Sequence, residues 1–74
     1  MKFEKEILEA FEKIAKGKEV KLDSNLKELG LDSLDVVDLL MDLEEKHEIE
    51  FDNEEMTSLV TVRDVVAAVE KKSK

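Results

Sequence analysis

Residues 29–45 read LGLDSLDVVDLLMDLEE, a stretch with one coherent folding pattern, a helix that begins at its fourth or fifth residue. Asp32 is a good N-cap, and Asp35 stands three positions on, where a capping box places its acid. The helix is expected to run from Asp32 or Ser33 to about His47. At about 100° per residue, Val36, Leu39, Leu40 and Leu43 fall on one side, and Asp35, Asp38, Asp42 and Glu45 line the opposite one. One face belongs to a core and the other is a carboxylate stripe. Between them runs a second apolar line, Leu34, Val37 and Met41, which a core needs only in part and which a partner could use.

Working outward, residues 17–32 carry Val20, Leu22, Leu26, Leu29 and Leu31 among polar neighbours. That spacing suits a long loop pinned to a core, with one helical turn before Gly30. Upstream, Phe3, Ile7, Ala10, Phe11 and Ile14 recur at helical spacing and predict an amphipathic helix over 2–16, ended by Gly17. Downstream, a link holding Ile49 and Phe51 leads to a short helix over 53–58 with Met56 inward. Thr61 then offers an N-cap with Asp64 three residues later, and Val62, Val65, Val66 and Val69 form the stripe of a last helix ending near Lys71 and Lys72. Valine is a poor helix former, so packing must hold this element. Without prolines, with two glycines, and with no apolar alternation over strand lengths, the chain reads as all-α with no sheet.

The length, 74 residues, allows one small domain over 1–74 and no deep enzyme cleft. Its net charge of −8 is unevenly spread: residues 32–55 hold eleven acids and one base, and the other fifty residues total +2. Such a surface disfavours nucleic acid and anionic lipid and suits a basic partner. Like charges at i, i+3 and i+7 repel along a helix, a cost that favours docking over mere solvation as the reason for the stripe. No cysteine is present, which excludes disulfides, thiolate metal sites and a cysteine nucleophile. Neither a signal peptide nor a membrane span is legible, so a cytoplasmic address and no membrane insertion are expected.

Nothing in the chain composes a catalytic device. His47 is the only histidine, and fourteen residues of helix put it about 21 Å from Ser33, beyond hydrogen-bond reach. It reads as a helix C-terminal residue favoured by the dipole. Carboxylates on a convex helix lack the enclosure that separates pKa values for acid–base work, and no calcium-loop or phosphate-cradling glycine pattern occurs. No metal site or enzyme activity is therefore expected.

Ser33 opens its helix behind a tight Gly30-Leu31-Asp32 approach, where the positive helix end would stabilise an attached phosphate. With that setting, LGLDSLDVVDLLMDLEE closely resembles the second-helix motif of acyl carrier proteins, and the resemblance extends through the long loop to the closing VTVRDVVAAV. It implies a small four-helix bundle, with three main helices, a short third and a long loop between helices one and two. It also implies that a phosphopantetheinyl transferase attaches 4′-phosphopantetheine from coenzyme A to Ser33 of the Asp32-Ser33-Leu34 motif, using magnesium. The arm's thiol would carry acyl chains as thioesters, so the lack of cysteine is no obstacle.

By the same resemblance Asp32, Asp35, Asp38, Glu44 and Glu45 match partner-recognition acids, with Leu34, Val37 and Met41 as interface hydrophobes; Asp42 of the stripe joins that face. The acyl pocket would include Val36, Leu40, Leu43, Phe51, Leu59 and Val62, each of which is also accounted for as core. Partners would be fatty acid synthesis enzymes and acyltransferases with basic docking patches, met by a monomer. Phe51 is followed by Asp52 where many members have proline, and Thr57 replaces a common acid. Two other roles share these features: an aminoacyl or peptidyl carrier, against which the density of acids on the helix speaks, and an unmodified acidic adaptor, which would not need Ser33.

Overall fold

Four helices form among residues 2–73, which the computed structural model describes: α1 (Glu4–Ile14), α2 (Ser33–His47), α3 (Asn53–Ser58) and α4 (Val62–Lys72). Positions 1 and 74 of the expected domain lie outside the described residues. Three of the four starts are capping boxes, Asp32 with Asp35, Asp52 with Glu55, and Thr61 with Asp64. Each satisfies two backbone N–H groups that a helix start leaves without partners.

Helix α1 is shorter than the predicted 2–16. It stops at Ile14 because Lys16 and Gly17 both adopt left-handed backbone, with φ of 49° and 90°. Helix α2 closes through Glu48, also left-handed at φ 55°, and the Ile49 N–H returns to the Glu44 carbonyl at 3.0 Å. A glycine is the usual residue for that position.

Helix α1 packs on α4 and α2. Ile7 and Phe11 from α1, Leu40 from α2, and Val62, Val65, Val66 and Val69 from α4 are fully buried. Burying a valine contributes about 1.5–3 kcal/mol, several times the few tenths that valine costs in helix propensity, so burial decides the conformation of α4. Val20, Leu26 and Leu29 of the long loop are buried in the same core.

The loop holds consecutive turns where one helical turn was expected, with Glu28 N–H donating to Asn25 O and Gly30 N–H to Lys27 O. It is also sewn to the segment before α4. Leu26 N–H donates to Val60 O at 2.9 Å, Val62 N–H to Ser24 O at 3.1 Å, and Arg63 N–H to Leu22 O at 2.8 Å. The only β-type pairing among the described residues is the antiparallel bridge Asn25–Thr61 within this strap. Asp64 accepts the N–H groups of Thr61 and Val60, which hold its carboxyl below the ordinary range despite partial burial.

Candidate functional site

The start of α2 is built by Asp32, whose carboxylate accepts the Asp35 N–H at 2.9 Å while Asp35 accepts the Asp32 N–H at 3.5 Å. Ser33 is thereby fixed as the first helical residue, with its side chain exposed to solvent. The N–H groups of Ser33 and Leu34 belong to the first turn, which has no carbonyl behind it within the helix. Gly30, three residues upstream, has φ 74°, and a Cβ there would meet the Lys18 ammonium at 3.0 Å. Both facts favour glycine in the turn that aims the chain at Ser33.

Beside Ser33 opens an apolar pocket of about 290 Å³, walled by Leu26 and Leu31 of the loop, Val36, Val37 and Leu40 of α2, and Met56, Thr57 and Leu59 in and after α3. Of the residues expected to line an acyl pocket, Val36, Leu40 and Leu59 line this cavity. Leu43, Phe51 and Val62 lie outside this lining: Leu43 and Val62 fill the core, and buried Phe51 backs the acidic cleft between α2 and the 49–56 segment. Sequence reading did not assign Leu26, Leu31 or Met56 to the pocket, because their apolar character is explained equally well by core packing.

Along α2, Asp35, Asp38, Asp42 and Glu45 are all exposed, beside Leu34 at 72% and Met41 at 55% exposure. Val37 is half-buried and faces both the pocket and the cleft. Glu44 differs from its expected companions. Its carboxylate is half-buried and accepts the Phe51 N–H at 2.7 Å, so it ties the link after α2 to the helix. His47 is held at the far end of α2 by Glu6, well away from Ser33. No helix among the described residues is long and apolar enough to cross a membrane, and no cluster of three potential metal ligands occurs among them.

A family model described as a phosphopantetheine attachment site matches residues 5–69. An acyl carrier protein of Campylobacter concisus is 52% identical over 56 residues, which make up 74% of this chain and 73% of that protein. An acyl carrier protein homolog of Mycoplasmopsis pulmonis is 37% identical over 68 residues, 92% of each chain. The crystal structure of an acyl carrier protein from Thermotoga maritima aligns with a TM-score of 0.77 at 35% identity, covering 93% of this chain and 88% of that one. Bundle and match together define a phosphopantetheine-bearing carrier domain. The chain belongs to the acyl carrier protein family, whose prosthetic group is covalent 4′-phosphopantetheine.

Proposed function

We propose that Ser33 is the residue that bears the phosphopantetheine, and that the protein delivers acyl thioesters to fatty acid synthesis or related enzymes without catalysing a step itself. The observation that carries this reading is the exposed Ser33 at the head of α2, opening onto an apolar pocket of about 290 Å³. The residues present fit the group. A solvent-facing hydroxyl is open to a transferase, and the adjoining first-turn N–H groups of α2 favour a phosphodiester. The arm's thiol supplies the thioester chemistry when the group is bound. Leu26, Leu31, Val36, Leu40 and Leu59 offer an acyl chain an apolar wall against which it would leave water.

Docking is assigned to α2, through the exposed acids Asp35, Asp38, Asp42 and Glu45 around Leu34, Val37 and Met41. Complementary charge would steer basic partner patches, the phosphopantetheinyl transferase among them, and the apolar line would supply the contact area. Glu44 takes a structural part instead, since its carboxylate is engaged by the Phe51 N–H.

Intact mass spectrometry tests the attachment. Incubation with coenzyme A, magnesium and a broad-specificity phosphopantetheinyl transferase should add one phosphopantetheine to the wild type and none to Ser33→Ala. The exposed substitution should change stability by no more than about 0.5 kcal/mol, which separates lost attachment from lost folding. No mass gain from a folded, unmodified wild type would overturn the reading.

A further inference from the structure

The approach to Ser33 carries two cations in an otherwise acidic neighbourhood. Lys27 lines the same pocket as Ser33 and is exposed, so an ammonium on a flexible stem is available at the pocket that Ser33 borders. Its backbone is pinned on both sides. The Lys27 N–H donates to Asn25 Oδ1 at 2.9 Å, and the Lys27 carbonyl accepts the Gly30 N–H at 3.2 Å. Lys18 lies across the same turn, with its Nζ 3.0 Å from the place of a Cβ on Gly30. Neither lysine forms an ion pair among the described residues, as is also true of Lys2, Lys5, Lys13, Lys16 and Lys71, so both ammonium groups are open to a new anion.

A phosphodiester on Ser33 adds a negative charge beside Asp32 and Asp35, whose carboxylates already converge on the start of α2. We propose that Lys27, supported by Lys18, is the cationic contact for that phosphodiester and holds the arm over the mouth of the apolar pocket; this rests on Ser33 being the attachment residue. Lysine suits the task as a point charge on a flexible stem, which can follow a phosphate without demanding bidentate geometry. Because the pair is exposed it should be salt-sensitive, and it acts by orienting the arm more than by adding stability.

The test uses the loaded protein, with loading checked by mass. The ³¹P resonance of the phosphodiester is followed as sodium chloride is raised, in wild type, Lys27→Gln and Lys27→Arg, with thermal melts to confirm the fold. In the wild type the resonance should move with salt towards a plateau. Lys27→Gln should start near that plateau and lose most of the salt response, and Lys27→Arg should restore it. Should Lys27→Gln reproduce the wild-type position and salt response, the contact is refuted while Ser33 attachment stands. If the mass gain survives in Ser33→Ala, the phosphodiester is elsewhere and both readings fail.

Discussion

Glu6 Oε2 lies 2.8 Å from His47 Nε2 and 3.4 Å from Lys46 Nζ, so one carboxylate of α1 fastens the last turn of α2. The Phe3 ring meets the imidazole edge-on, with centroids 4.6 Å apart. Burial pushes the Glu6 pKa up, but the hydrogen bonds and charges of His47 and Lys46 together outweigh it and hold the carboxyl below its ordinary value. A carboxyl depressed in the folded state stabilises fully above the ordinary glutamate range, and that contribution is lost as acid protonates it. Glu6→Gln should therefore cost about 1 kcal/mol at neutral pH, and the gap to wild type should close as the pH falls from the ordinary glutamate value through the lower value of the folded state. Urea melts of the two proteins at both pH values check this; equal stability at neutral pH would count against it.

Glu48 gives a prediction of opposite sign. A side chain at φ 55° bears a steric cost that glycine avoids, and glycine's greater freedom in the unfolded chain offsets only part of it. Glu48→Gly should stabilise the fold by about 0.5–1 kcal/mol, read as a higher urea midpoint with an unchanged slope.

Helix α3 has six residues and buries none of them, so its Asp52–Glu55 capping box carries an unusual share of its stability. Glu55 is further tied to Lys72 of α4 at 2.8 Å. Asp52→Ala should cost about 1 kcal/mol and release the amides of residues 55–58 to exchange first, while amides of α1 and α4 stay protected. Uniform loss of protection across the chain would contradict a local role.

Leu34 is 72% exposed, so trimming it removes almost no packing. Leu34→Ala should leave stability within about 0.5 kcal/mol of wild type, yet lower the transferase's kcat/KM about tenfold if the apolar line of α2 is the docking contact. Unchanged kinetics would move the contact elsewhere.

The charge of −8, gathered around α2, should make the melting temperature rise between about 20 mM and about 500 mM sodium chloride. A salt-independent melt would show that carboxylate repulsion is not a significant load on the fold.

The helices were legible because their signals are internal to each element. Apolar stripes locate α1, α2 and α4, and Asp32 and Thr61 are legible as the N-caps of two of them. The Asp52-x-x-Glu55 cap is equally readable, although the expected helix over 53–58 rests on Met56 and not on that cap. What escaped reading were contacts between distant residues: His47 with Glu6, Glu44 with Phe51, and the strap joining 22–26 to 60–63. Periodicity tells which face of a helix is buried, and not which neighbour's backbone a polar group on that face will reach. Glu44 illustrates the limit. Its sequence position is that of a surface acid, and only the bend after Glu48 turns the Phe51 N–H towards it.

That strap also orders the assembly of the molecule in time. Its two halves stand about forty residues apart, so it closes a long loop, whereas each helix closes locally and within far shorter times. The turns at 26–31 that form one side of the groove gain their backbone tie, from Leu26 N–H to Val60 O, only once residues 60–63 are in place. In a chain still leaving the ribosome, Ser33 would emerge about thirty residues ahead of Arg63, so the serine reaches solvent before its groove has a finished wall.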